Sequence, residues 1–242
     1  MIGDVLAIVR KEILELFSGG GRGKFAPVVL LAIYGIVFPL RAGSSWVNSY
    51  EVVGFAASIS VFLSLSIVAD AFAGERERHT LETLLASRLS DLAILIGKVA
   101  TVVLYGWGLT LASLIVGLVA VNVVAGSGHI MLYPGWRILA TVVLSLLLTI
   151  LSTGIGVLVS LRATTVRQAT QILTIGPLAL FFVIFFGLQA LPASIRSEIV
   201  NRLNSMGLST VAIMLLVALL AVDSLVLYID SARFQRARLI LD

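Results

Sequence analysis

Apolar runs separated by short polar stretches follow one another along almost the whole chain. Crossing the apolar core of a bilayer, roughly 30 Å thick, takes about 20 helical residues, and an apolar segment in lipid must satisfy its own backbone hydrogen bonds. Six runs are candidates, at residues 25–40, 52–72, 92–125, 138–161, 171–191 and 208–229. The pattern therefore predicts an all-α polytopic membrane protein with six transmembrane helices.

Two of these runs depart from the expected length. The first is short and is bracketed by Pro27 and Pro39. The third lies within residues 92–125, which is too long for one upright helix, so we expect that helix to tilt or to project beyond the membrane.

The residues before the first run predict an interfacial helix. Between Ile2 and Phe17, apolar side chains recur at helical spacing and most of the charged side chains lie opposite them. Such a charged segment suits the membrane surface better than its core. The Gly-rich sequence SGGGRGK at residues 18–24 then predicts a turn into the first span. It does not match a phosphate-binding P-loop, since Phe25 stands where that motif has Ser or Thr.

Composition supports the membrane assignment. Of 242 residues, 59% are hydrophobic and 12% are charged, whereas an average soluble domain has about 25% charged residues. The mean hydropathy is +1.09. The sequence contains no cysteine, which excludes disulfides, thiolate metal sites and a cysteine nucleophile.

The basic residues predict the orientation. With six spans, both termini lie on the same side of the membrane, and thirteen of the seventeen Lys and Arg residues fall on that side. The positive-inside rule then places both termini in the cytoplasm, in a multi-pass protein of the cell (plasma or inner) membrane. Because the basic residues are spread along one face of the lipid bilayer and form no groove-binding patch, no nucleic-acid partner is expected.

One polar stretch stands out between the second and third runs. GERERHTLETLLASRLS, at residues 74–90, has six formal charges, whereas the run at 52–72 has one. Leu81, Leu84 and Leu85 recur at helical spacing, so the stretch predicts a short amphipathic helix with its charges gathered toward the N-terminal end. Such a helix is either a charged membrane anchor or a docking surface, and composition does not separate the two.

This stretch resembles the first cytoplasmic loop of ABC-2-type transporter permeases, whose pattern is roughly E-R-E-x-x-T-L-E-x-L-L-x-[ST]-P-[LV]-S. The matching residues are Glu75, Arg76, Glu77, Thr80, Leu81, Glu82, Leu84, Leu85, Ser87, Leu89 and Ser90. Arg88 departs from the pattern, since many members have proline there. Arg10, Lys11 and Glu12 match an R-K-E that the N-terminal helix of this family often carries, and the six spans extend the similarity to essentially the whole chain.

The resemblance implies that the stretch is a coupling helix, which docks on a separate ATP-binding subunit and transmits its ATP-driven closure to the spans. The implied docking residues are Glu75, Arg76, Glu77, Arg78, Thr80, Leu81, Glu82, Leu84 and Leu85. The chain itself would hold no cofactor and catalyse no reaction, since ATP and Mg would be bound by the partner. A second permease copy, identical or similar, would complete an exporter with the cargo path between the two copies.

Three charged residues, Asp70, Lys98 and Asp223, fall within apolar runs. An intramembrane charge is a candidate functional site. All three lie toward the cytoplasmic ends of their spans, however, where structural ion pairs are the stronger expectation and a lysine can extend to the surface. His79 and His129 are predicted on opposite sides of the membrane, so neither a two-histidine metal site nor a histidine-based hydrolase is expected.

Two further patterns concern packing. Gly154, Gly156 and Gly176, the last beside Pro177, predict close helix contacts or a kink in the fourth and fifth spans. Residues 192–207 alternate apolar and charged positions at helical spacing, which predicts an amphipathic helix or a surface loop on the external side.

We therefore expect one transmembrane domain over residues 1–242, with an N-terminal helix and turn at 1–24, a six-helix region at 25–230 and a cytoplasmic tail at 231–242. An ATP-independent secondary carrier or a membrane scaffold is the alternative function. Secondary carriers usually show internal repeats and polar groups at the membrane midplane, and we find no convincing repeat here. An amphipathic or hydrophobic cargo is favoured over an ion, because the span centres carry no charge constellation.

Overall fold

The computed structural model describes residues 1–18, 25–80, 86–126, 129–206 and 208–234. Within these ranges the regular structure is helical, without a β-strand. Most of the predicted Gly-rich turn, at residues 19–24, lies outside the described residues, as do the leucines at 81–85 and the tail at 235–242.

In the described ranges, six helices are long and apolar enough to cross a membrane, as the hydropathy pattern predicts. We call them spans one to six, and they comprise Pro27–Asn48, Glu51–Glu77, Asp91–Ala125, Gly135–Arg162, Val166–Ala190 and Leu208–Arg233. The N-terminal helix (Ile2–Ser18) precedes them, and the linking helix (Ala193–Met206) connects spans five and six. The prediction of an all-α protein with six membrane-spanning helices is confirmed.

Span one is assembled from short helical pieces. They are α-helical at Phe25–Ala32, π-helical at Ile33–Val37, α-helical at Phe38–Ala42 and 3₁₀-helical at Gly43–Asn48. Pro39 has no backbone N–H to donate to the preceding turn, so a wider π turn before it is a natural accommodation. The sequence predicts an end at Leu40, but the helical path continues because Trp46 and Val47 are buried in the bundle.

Spans two and four form the closest contact in the bundle interior. A Cβ atom built on Gly156 of span four would overlap Val68 of span two, so the helices approach to a distance that only glycine permits. The hydroxyl oxygens of Ser64 and Ser152 lie 2.7 Å apart across the same contact. Further toward the end of span two, Ser160 Oγ accepts hydrogen bonds from the Phe72 and Ala73 amides.

Span six packs closely on span four at Gly154, whereas span five has no close packing partner at Gly176. A Cβ atom on Gly154 of span four would lie 2.6 Å from Val226 Cγ1 of span six. Nothing lies within 4 Å of the corresponding position at Gly176 in span five. The expectation of close glycine packing is confirmed in span four, whereas at Gly176 no described residue packs closely, and the alternative of a kink beside Pro177 stays a prediction.

The N-terminal helix packs against the first turns of span three. Ile8 is buried, and a Cβ atom built on Gly97 would lie 2.7 Å from Ile8 Cγ2. Span three has 35 residues, or roughly 50 Å of helix, so this contact uses length beyond that of one membrane crossing. It brings Lys11 and Glu12 beside the ends of spans two and three, and we call this end of the bundle the charged end.

Candidate coupling site

The charged stretch at 74–90 is divided among three local structures. Residues 74–77 form the last turn of span two, residues 78–80 form a turn, and residues 86–90 form a turn and bends. The charges at residues 75–77 therefore belong to the end of span two and not, as the sequence predicts, to the start of a separate helix. The central part of the 74–90 stretch, which includes Leu81, Glu82, Leu84 and Leu85, lies outside the described residues. Span two continues past its predicted end at Phe72 because the next charges find partners within the bundle.

A Schellman motif ends span two. The Thr80 amide donates to the Glu75 carbonyl at 2.8 Å, and the His79 amide donates to the Arg76 carbonyl at 3.1 Å. His79 has φ +57°, the left-handed conformation that this helix end requires and that glycine adopts most easily. The motif fixes the direction in which the chain leaves span two toward residues 81–85.

Glu75 is buried in a cluster of charged side chains. It is 4% exposed, and its Oε1 accepts hydrogen bonds from Lys98 Nζ at 2.9 Å and from Lys11 Nζ at 3.2 Å. Lys98 is 2% exposed and also donates to Glu12 Oε1 at 2.9 Å and to the Ala71 carbonyl at 2.8 Å. An ammonium group has three N–H donors, so the three acceptors saturate Lys98.

We call Lys11, Glu12, Glu75 and Lys98 the charge cluster. Its two ammonium and two carboxylate groups balance in formal charge, which is what burial demands of ionised side chains. The cluster joins the N-terminal helix, span two and span three at one point. Removing one of the two buried members, Glu75 or Lys98, typically costs about 3–5 kcal/mol, because a buried charge is left without its partner.

The pKa values of Glu12 and Lys11, both on the N-terminal helix, reflect the same pairing. Burial alone would raise the pKa of Glu12, but the charges of Lys98 and Lys11 and their hydrogen bonds outweigh it and lower that pKa below its ordinary value. Burial alone would lower the pKa of Lys11, but Glu12, Glu75 and Glu15 outweigh it and raise that pKa. Both shifts favour the ionised forms that the cluster requires.

Arg76 and Glu77 hold the link between spans four and five. Arg76 donates from Nη1 to the Ala163 carbonyl at 2.7 Å and from Nη2 to the Leu161 carbonyl at 2.8 Å. Carbonyls at a helix C-terminus have no partner within the helix, so the guanidinium caps span four. Glu77 Oε2 accepts a hydrogen bond from the Val166 amide at 3.0 Å, which caps the start of span five.

Arg78 and Asp70 form an ion pair at the surface of the same region. The Arg78 Nη1 and Asp70 Oδ1 atoms are 3.1 Å apart, and both side chains are about half exposed. This is the ion pair that the sequence favours for Asp70, and solvent screening makes such a pair worth little. Beyond the undescribed residues 81–85, Ser90 Oγ accepts from the Ala93 amide at 3.2 Å and begins span three.

The other two intramembrane charges, Lys98 and Asp223, agree with the sequence prediction to different extents. Lys98 does not extend to the surface but is buried and paired inside the bundle. Asp223 is buried, and neither of its carboxylate oxygens has a hydrogen-bond partner among the described residues. The expected structural ion pair is therefore found for Asp70 and Lys98 and not, among the described residues, for Asp223.

Sequence reasoning missed three contributors: Glu12 as a partner of Lys98, Lys11 as a partner of Glu75, and the buried Asp230. The partners of Lys98 and Glu75 lie 86 and 64 residues away in the chain, a separation that helical periodicity does not reveal. The available signal was the presence of a lone lysine in an apolar run, since such a charge requires a counter-charge.

Comparison with protein families identifies the bundle. A family model described as ABC-2 type transporter matches residues 4–199. The chain belongs to this family. The match covers the N-terminal helix, spans one to five and all four members of the charge cluster. No curated protein matches the chain as a relative.

Membership makes the chain a transporter permease subunit. ABC-2 permeases are membrane transport domains without catalytic activity of their own, and they typically work with an ATP-binding subunit. The charge cluster and its neighbours thus lie in a permease, at the end of the bundle where the family resemblance expects that subunit to dock.

Proposed function

We propose that this permease is the membrane subunit of an ATP-driven exporter. A separate ATPase subunit binds ATP and Mg, and its hydrolysis cycle moves an amphipathic cargo across the cell membrane. Two permease copies, identical or similar, form the transporter, with both termini and the charged end in the cytoplasm. The observation that carries the proposal is the anchoring of residues 75–77 to four other parts of the bundle.

The anchoring supplies a route for mechanical coupling. Glu75 contacts Lys98 of span three and Lys11 of the N-terminal helix. Arg76 contacts the end of span four, and Glu77 the start of span five. A displacement of the segment after His79 is therefore delivered to the N-terminal helix and to spans two to five together, through a contiguous network of polar contacts.

The docking surface itself is assigned to residues 78–90. From the spacing of the sequence, Leu81, Leu84 and Leu85 would supply an apolar ridge, while Arg78 and Glu82 would supply charges that select a partner. Thr80 belongs to the turn that orients this segment. Since Glu75, Arg76 and Glu77 direct their polar atoms into the bundle, we assign them the task of holding the docking segment in place.

Span five supports a cargo path between two copies. Arg167, Thr170, Gln171 and Thr174 recur on one exposed face of this span and line an open groove with Ile175. Polar side chains on an isolated span face are unfavourable against lipid acyl chains. A second copy, or the water-filled path between two copies, would solvate them and would suit a cargo with a polar group.

Affinity purification in mild detergent from the native membrane tests the proposal. We expect a P-loop ATPase to co-purify in stoichiometric amount with the wild type and to be lost with Leu84→Asp combined with Leu85→Asp. Ile130→Asp with Leu132→Asp is the matched control, because both side chains are exposed at the opposite end of the bundle. A homo-oligomer without any nucleotide-binding partner would favour the secondary carrier or scaffold instead.

A further inference from the structure

Span six buries acids while it exposes its apolar side chains. Among the residues of this span with described side chains, Asp223 and Asp230 are the buried ones, at 4% and 0% exposure. They are seven residues apart, which is about two helical turns, so they share one face. That face lies on span four, because Asp230 Oδ2 is 3.2 Å from the position of a Cβ atom on Gly154.

Neither acid has a partner in the part of the chain that the structure describes. All four carboxyl oxygens are inaccessible to solvent and accept no hydrogen bond from a described residue. The charged residues of the packed elements are Arg137 and Arg162 at the two ends of span four, Arg196, Glu198 and Arg202 on the linking helix, and Arg233 on span six itself.

None of these groups neutralises the acids in the described structure. Arg162 and Arg233 are exposed, and Glu198 pairs with Arg202 at 2.8 Å. Arg137 stacks over the Tyr50 ring at the opposite end of the bundle. Span two reaches this region through the contact of Phe72 with Phe234, and its charged residues from 75 to 78 are engaged in the contacts of the charged end.

The spacing of Asp223 and Asp230 determines what the two acids can bind. Two carboxyl groups two helical turns apart, roughly 10 Å along the axis, cannot share one metal ion. Among the described residues no group of three or more His, Asp or Glu side chains gathers to hold a metal. An unpaired carboxylate in an apolar contact is strongly unfavourable and becomes neutral by taking up a proton.

We propose that Asp223 and Asp230 are proton-binding sites, each a neutral acid while span six packs on span four. Loss of the two protons places two unpaired negative charges on the buried face of span six, that of Asp230 beside Gly154 of span four, which weakens the contact between the spans. The packing of span six therefore weakens as the pH rises, and the permease carries a proton-dependent element at this contact. The site requires neither an ATPase partner nor a cargo, so its test is independent of the proposed function.

Infrared spectroscopy of the purified permease in lipid tests this proposal. We expect the wild type at neutral pH to show the C=O band of protonated carboxylic acids, with about half the band lost in Asp223→Asn or Asp230→Asn and all of it lost in the double variant. Asp70→Asn is the matched control, because that carboxylate is exposed and ion-paired. Absence of the band in the wild type, or its persistence in the double variant, would overturn the proposal.

Thermal unfolding across the same pH range gives a second readout. Asparagine resembles the neutral acid in size and polarity, so the double variant should fold and should lose the decline in stability with rising pH that the wild type shows. A pH dependence of the double variant equal to that of the wild type would show that other groups carry it, and failure of the double variant to fold would show that the packing needs the carboxylates themselves; either result would overturn the proposal.

Discussion

Lys98 Nζ lies 2.9 Å from Glu75 Oε1, and this contact joins the first turns of span three to the last turn of span two. Both side chains are almost completely buried, so the pair exists without the screening that weakens surface ion pairs. It joins the chain before residue 78 to the chain after residue 90, and we call this contact the clamp. The first prediction addresses this clamp.

Lys98→Met should destabilise the permease by about 3 kcal/mol, because it leaves Glu75 and Glu12 buried without the ammonium group they share. Combining it with Glu75→Gln should recover part of the loss, since the second change removes the stranded charge. Chemical unfolding in detergent measures both. Arg78→Gln is the control, and as one half of an exposed pair it should change the stability by less than about 1 kcal/mol. Equal losses from Lys98→Met and Arg78→Gln would contradict a buried clamp.

Acidification should release the N-terminal helix. The pKa of Glu12 is lower in the folded protein than its ordinary value of 4.5, so its pairing contributes stability above that pH. This contribution is lost as the pH falls through the folded-state value. Glu12→Gln should abolish the acid-side loss, measured as the unfolding temperature against pH. Asp4→Asn on the exposed face of the same helix should leave the loss intact. The proton sites of span six act in the opposite direction, so the two effects are separable.

The turn at His79 should respond to backbone conformation and not to the imidazole. His79→Gly relieves the left-handed strain at φ +57° and should maintain or raise the stability, whereas the β-branched His79→Val should lower it by about 1–2 kcal/mol. Capture of the ATPase partner should follow the same order, because the turn aims the docking segment. If His79→Gly and His79→Val lost the partner equally, the histidine side chain itself would be the contact.

The sequence predicts the spans well and the site less completely, for a physical reason. Burial in lipid demands long apolar runs, so all six spans are visible in the hydropathy pattern and span two is misjudged only at its end. That end is missed because Glu75, Arg76 and Glu77 read as a polar loop, whereas partners distant in sequence make them part of the helix. A lone lysine in an apolar run indicates that Lys98 needs a counter-charge, but only the fold shows that Glu12 supplies one.

The last prediction concerns the contact between spans two and four. Gly156→Ala should destabilise the permease by about 1–3 kcal/mol, because the added methyl group overlaps Val68 in a helix pair without room to relax. Adding Val68→Ala should restore much of the loss, since it removes the atoms that the methyl group would meet. Gly108→Ala is the matched control, because nothing lies within 4 Å of its Cβ position. Unfolding in detergent gives the four values of this comparison, and a loss from Gly156→Ala that Val68→Ala leaves unchanged would place the strain elsewhere.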